Sequence, residues 1–287
     1  MEPATAAVET AMSAEGERLF DLFRRPHGRS RPRPDETAVM ESAVTGSVTV
    51  GGKRAVTYRW GTGARPVLLV HGWESRASRY AKAVARLVEA GCSPVAFDAP
   101  GHGESEGQDT TLVEYRDIIA RLQREHGEFE AVVAHSFGAL AVFFALGEGL
   151  RARRVVAVSP VPDFSYLIET FQRRMRLPAP LEDELRHRVE RQLYPDVADM
   201  WTRFSVLHDA DAVRAPLLFV HDEDDEAVEP GRVAQLVGAF GGRASLVTTR
   251  RFGHRRILGA PQAVDAMTEF IEAGAARAGR ETEVGAR

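Results

Sequence analysis

The stretch VVAHSFGAL, residues 132–140, sets a hydroxyl inside an apolar run. Val132 and Val133 favour a strand, while the residues from Phe137 onward (FGALAVFFALGEG) read as an apolar helix. Ser136 stands at the change from one to the other, between the small residues Ala134 and Gly138. So sharp a turn forces its central residue into strained backbone angles and leaves room only for small neighbours. It holds the hydroxyl out at the carboxyl end of the strand. The sequence Ala134-His135-Ser136-Phe137-Gly138 departs from the G-x-S-x-G pattern of such nucleophile elbows at its first position, where alanine is the smallest alternative. A serine that only caps a helix is the competing reading. The strand–turn–helix context favours the nucleophile.

Outward from this turn, strands and helices alternate. SVTVGGKRAVTYRW is a pair of alternating runs around Gly51-Gly52, a hairpin signal. PVLLVHG (66–72), SPVAFD (93–98), EAVVAH (130–135), RVVAVSP (154–160), APLLFVHD (215–222) and RASLVTT (243–249) read as strands, most of them continuously apolar. Helical spacing separates them, over RASRYAKAVARLVEA, TLVEYRDIIARLQREH, PGRVAQLVGAF and PQAVDAMTEFIEA. Apolar strands joined by helices predict an α/β domain, a mostly parallel central sheet covered on both faces. The core is expected over 45–160 and 208–272.

The rhythm breaks after the sixth strand. Residues 161–207 hold no strand-like run but carry Phe164, Leu167, Phe171, Met175, Leu185, Leu193, Trp201 and Phe204 at helical spacing. A helical insert is expected there. Residues 1–44 read as an amphipathic helix over 5–24 and an extended Pro/Arg-rich linker, RRPHGRSRPRP. The tail 273–287 reads as disordered.

A serine hydroxyl is a weak nucleophile at neutral pH, so it needs a base and an acid that orients the base. In such a sheet they follow in the order serine, acid, histidine, on loops at strand ends. Of nine histidines, His254 in TTRRFGHRRIL alone combines that order with a glycine-bearing loop after the last strand. The acid falls in HDEDDEAVEP. Counting from the strand end selects Asp225, three residues before Val228, with Asp224, Asp222 and, after the preceding strand, Asp163 as contenders. The oxyanion donors are expected to be the backbone N–H of Phe137 and that of Trp73, in the turn after His71-Gly72. Asp98, in DAPGHGES, reads as structural. The acidic cluster lacks the glycine and the later glutamate of a calcium loop, and no metal or cofactor is expected.

Composition excludes several other classes. An apolar fraction of 44% supports a substantial core, and a net charge of −4 with mixed signs argues against a nucleic-acid or anionic-membrane partner. No run approaches the ~20 apolar residues of a membrane span. The amino-terminal residues lack the basic and apolar regions of a signal peptide. The single cysteine, Cys92, reads as a buried inert thiol, and a lone thiol fits a reducing compartment. A cytoplasmic protein acting on a small molecule is expected, with self-association left open.

Taken together, HGW (71–73), DAPGHGES (98–105), AHSFG (134–138), HDEDDEAV (221–228) and GHRRIL (253–258) resemble the α/β-hydrolase superfamily over residues 45–272. The resemblance implies nucleophile Ser136, acid Asp225, base His254, oxyanion donors Trp73 and Phe137, and a helical lid over 161–207. It implies a serine hydrolase of carboxylic esters or thioesters that needs no cofactor. Phe164, Phe171, Met175 and Trp201 would line the acyl site or, alternatively, only join the lid to the body. Arg255 and Arg256 would suit an anionic substrate or be merely solvated. The same triad also serves acyltransferases, C–C hydrolases and cofactor-free haloperoxidases, and the fold also serves as a non-catalytic receptor or scaffold. A serine at the elbow argues against dehalogenases and epoxide hydrolases, which place aspartate there.

Overall fold

The computed structural model describes the backbone of residues 13–285, with side chains through 274. Eight strands form one sheet: β1 (Val44–Val50), β2 (Lys53–Arg59), β3 (Pro66–Val70), β4 (Ser93–Phe97), β5 (Ala131–His135), β6 (Val155–Val158), β7 (Leu217–Asp222) and β8 (Ala244–Thr249). Their order across the sheet is β1-β2-β4-β3-β5-β6-β7-β8. The hairpin β1–β2 and the pair β2–β4 are antiparallel; every pair from β4 onward is parallel. This is the mostly parallel α/β sheet that the apolar strands predict.

The described residues form eleven α-helices: α1 (Ala14–Arg24), α2 (Thr37–Glu41), α3 (Ala81–Glu89), α4 (Leu112–His126), α5 (Phe137–Gly147), α6 (Phe164–Met175), α7 (Ala179–Arg188), α8 (Met200–Arg203), α9 (Pro230–Phe240), α10 (Gly253–Arg256) and α11 (Pro261–Gly285). Because strand side chains alternate between faces, the sheet has two cores. Val132 and Ala134 of β5 join Leu68, Phe219 and residues of α4, α5 and α9. Ala131 and Val133 join Leu69, Val220 and residues of α3 and α11. Both faces exclude water, so the central strands carry no polar side.

The chain between β6 and β7 is helical. It holds α6, α7, a π turn at Val189–Leu193 and α8, with one isolated bridge between Asp163 and Ser205. The expected amino-terminal helix is described only from Ala14; its part over 5–12 lies outside the described residues. The stretch after it is extended but tied down. Arg29 donates to the carbonyls of His102, Gly103, Ser105 and Gly107, and Arg79 reaches Ser30 and Arg31. The last helix, α11, is drawn to Gly285. Its Ala, Arg and Glu residues are strong helix formers, which outweigh the low apolar content. Among the described residues no helix is long and apolar enough to cross a membrane.

Candidate active site

Ser136 sits between β5 and α5 at φ 54°, ψ −121°, in the positive-φ region that side chains rarely occupy. The reason for Gly138 is a close approach. A Cβ there would lie 2.4 Å from the His71 carbonyl oxygen and 2.7 Å from that of Val70, at the end of β3. Gly72 is similarly crowded by Ser136 Cβ and His135 Nδ1, each 2.9 Å from a would-be Cβ. Small residues therefore let β3, its following turn and the serine turn converge.

His254 lies in the short helix α10, one turn of structure where the sequence suggests loop. Its Nε2 is 2.8 Å from Ser136 Oγ, and its Nδ1 is 2.8 Å from Asp225 Oδ2 and 3.1 Å from Oδ1. Ser136, Asp225 and His254 thus meet, although they come from the ends of three different strands. Asp225 Oδ1 also accepts the N–H groups of Ala227 and Val228, at 2.8 and 2.9 Å. Burial would raise the Asp225 pKa, but the hydrogen bond and charge of His254, with the two amides, hold it down to about 2.

The competing acids have other tasks. Asp222 accepts Thr249 Oγ1 at 2.6 Å and the N–H groups of Phe252, Gly253 and Asp224, so it ties the His254 loop to the end of β7. Asp224 accepts the Arg251 N–H, and Asp163 caps α6 through the Tyr166 N–H. Asp98 accepts the N–H groups of Ala77 and Glu104 and the Tyr58 hydroxyl, a structural role. Burial pushes the Cys92 thiol pKa up, which keeps it protonated.

Neighbouring histidines fix the geometry. His135 donates from Nε2 to the His254 carbonyl oxygen at 2.8 Å; a carbonyl can only accept, so this ring carries its proton on Nε2. Burial holds the His135 pKa down to about 3, with the His254 charge adding to the effect, so the ring stays neutral. His102 Nε2 accepts the Glu74 N–H at 3.1 Å and thereby pins the turn that carries Trp73. Glu74 itself has φ 53°, a left-handed residue that this bond helps to hold. The Trp73 ring meets the Phe137 ring edge-on, with centroids 5.4 Å apart. Phe137 opens α5, so its N–H is one of the amides a helix start leaves without an internal partner.

A cavity of about 940 Å³ opens onto Ser136 and His254, with Trp73 and Phe137 in its wall. Phe164 and Phe171 line it, as does a broad face of α6 through Leu167, Thr170 and Arg174. Met175 and Trp201 lie outside its lining. Met175 is the last residue of α6, 39% exposed, and the chain turns away beside it through the left-handed Arg176. Trp201 packs behind Phe164, with the Arg186 guanidinium 4.1 Å from its ring centre, and faces a separate shallow groove. Sequence reasoning missed Leu22 and Phe23 of α1, which also line the cavity. The available signal was that α1 carries two adjacent apolar pairs, Leu19-Phe20 and Leu22-Phe23, more than one buried stripe requires. Arg174, Arg251, Arg255 and Arg256 stand about the same cavity with Glu74, Asp224 and Glu226; Arg255 is paired to Glu74 at 2.8 Å.

A sequence model described as the alpha/beta hydrolase family matches residues 67–283. No curated protein matches the chain. Among solved structures, the chain is similar to a monoacylglycerol lipase from Paleococcus ferrophilus, with 25% identity, 76% of this chain and 98% of the other covered, and a TM-score of 0.56. It is similar to an esterase from Pyrococcus furiosus at 18% identity, covering 87% and 98%, with a TM-score of 0.62. A thioesterase domain from the curacin biosynthetic pathway aligns at 15% identity, covering 80% and 99%, with a TM-score of 0.59. Identities as low as these last two speak for the fold alone.

Proposed function

This chain belongs to the alpha/beta hydrolase family, and on that footing we propose that it is a serine hydrolase that cleaves a carboxylic ester or thioester through Ser136, His254 and Asp225. The observation that carries the reading is the continuous relay from Ser136 Oγ to His254 Nε2 and from His254 Nδ1 to Asp225, each link 2.8 Å.

The steps follow from the donors and acceptors. Ser136 Oγ attacks the substrate carbonyl carbon while His254 Nε2 takes its proton. The Nδ1–H of His254 remains bonded to Asp225, whose carboxylate stabilises the imidazolium that forms. The carbonyl oxygen becomes an oxyanion and accepts the N–H groups of Phe137 and Trp73, donors that typically contribute ~3 kcal/mol each. The tetrahedral adduct collapses, and His254 returns the proton to the departing alcohol or thiol. Water, deprotonated by His254, then attacks the acyl-Ser136 ester and releases the acid. The rings of Phe164 and Phe171 favour an apolar acyl or aryl group. The insert carrying these rings serves as the lid.

A fluorophosphonate probe tests the reading. The wild-type chain should gain one phosphonyl adduct on Ser136, seen by peptide mass spectrometry, and hydrolyse p-nitrophenyl esters. Ser136→Ala should do neither. A wild-type chain that folds, yet neither labels nor hydrolyses any ester, overturns it.

A further inference from the structure

The family match begins at residue 67, so α1 lies outside it. Two clamps nevertheless fix α1 beside the active site. At its start, the Ser13 N–H and hydroxyl donate to the two Glu184 carboxylate oxygens of α7 at 2.8 and 2.7 Å. Arg188, buried on the same helix, bonds Glu184 at 2.9 Å, the Ser13 carbonyl oxygen at 3.1 Å and the Glu17 carboxylate. Gly16 is part of the clamp, since a Cβ there would overlap the Glu184 carboxylate. At its end, Arg24 bonds Asp109 at 2.9 Å, and Lys53 bonds the same carboxylate at 2.6 Å.

Between the clamps α1 shows two apolar faces. Leu19 and Phe20 are buried in the body. Leu22 is 36% exposed, yet it and Phe23 border the cavity that holds Ser136. The Phe23 ring meets Phe171 edge-on at 5.3 Å and Phe164 at 6.0 Å, so rings from two separate segments close one wall. A helix pinned at both ends cannot swing aside to admit a longer chain without breaking the Ser13–Glu184 hydrogen bonds and the Glu17–Arg188 and Arg24–Asp109 ion pairs.

We propose that α1 is a fixed wall of the acyl pocket, and that Phe23 is a specificity-determining residue that limits the length of the apolar acyl group the enzyme accepts. This rests on the serine-hydrolase reading above. Removing the ring opens the wall between Phe164 and Phe171; enlarging it narrows the space. A single methylene in an apolar pocket is typically worth tenfold or more in selectivity.

The test is a series of p-nitrophenyl esters from acetate to dodecanoate, read as kcat/KM ratios between long and short chains. These ratios cancel any change in the folded fraction. Phe23→Ala should shift the optimum to longer chains and raise the dodecanoate-to-butyrate ratio roughly tenfold. Phe23→Trp should lower that ratio by a similar factor. Phe23→Leu replaces Phe23→Ala if the latter does not fold, with a smaller shift in the same direction. Ser136 labelling by a small fluorophosphonate is measured in parallel. Labelling at the wild-type rate with an unmoved chain-length profile overturns the proposal and leaves the serine-hydrolase reading standing. Failure of the wild-type chain to label and to hydrolyse removes that reading and the proposal together.

Discussion

The two halves of the candidate active site are built by different means. On the sheet side, Ser136, Asp225 and His254 are placed by strand ends and by backbone groups: Ala227 and Val228 N–H on Asp225, the His254 carbonyl on His135, and Phe252 and Gly253 N–H on Asp222. On the helical side, α1, α6 and α7 are joined mainly through side chains, a cluster of aromatic edges and the Ser13–Glu184–Arg188–Glu17 network, to which Ser13 adds its backbone N–H and carbonyl. Backbone-held geometry depends little on which side chains surround it. Side-chain-held walls change with each substitution. On the proposed serine-hydrolase reading, the division separates the chemistry from the choice of substrate.

Three measurements would break or sharpen that contrast. The largest effect is expected on the sheet side. Asp225→Asn leaves His254 packed but removes the anion that fixes its tautomer, so kcat for ester hydrolysis should fall about 10⁴-fold. The melting temperature should move far less. A modest loss of activity would mean that Asp222 or another acid supports His254.

Next comes the helical clamp. Arg188→Ala leaves the buried Glu184 carboxylate without its cation, which typically costs about 3–5 kcal/mol. Hydrogen exchange should show this as lost protection in α1 and α7, with β5 and β6 unchanged. Uniform loss across the sheet would show that the two halves do not open separately.

The smallest effect is on pH dependence. His71, His102 and His135 are buried, and burial holds their pKa values to about 4, 3 and 3. Unfolded histidine binds its proton near pH 6.5, so the unfolded state takes up more protons as pH falls below that value. Each ring should therefore subtract about 1.4 kcal/mol of stability per pH unit between about 6.5 and its folded pKa. Glu184 behaves oppositely. Burial would raise its pKa, but Ser13 and Arg188 hold it below the usual value, so its contribution persists above about 4.5 and fades only at lower pH. Urea titrations between pH 7 and 5 should thus weaken the sheet side first, and His102→Gln should flatten the slope by one ring's share. A slope unchanged in His102→Gln would remove that ring from the account.

The sheet, and the meeting of Ser136, Asp225 and His254 at its strand ends, were largely legible because their signals are local. Continuous runs such as VLLV and AVVAH mean strands buried on both faces, and a serine between Ala134 and Gly138 means a turn where backbones nearly touch. Asp225 could be preferred by counting but not separated from its neighbours, since five contiguous acids differ only in which backbone amides they meet. The proposed substrate wall was less legible. Trp201 and Met175 share helical spacing with Phe164, yet one packs behind it and the other sits where the helix ends. Phe23 reaches the cavity through a clamp joining residues 171 positions apart in sequence, which no periodicity reveals.

Ser136 holds a conformation that glycine adopts freely and serine does not. Replacing it with glycine would remove the proposed nucleophile and, at the same stroke, relax the chain. On the proposed reading, thermal robustness and turnover therefore pull in opposite directions at this one position. Selection for a sturdier protein without a test of turnover would drift toward an inert, more heat-tolerant form.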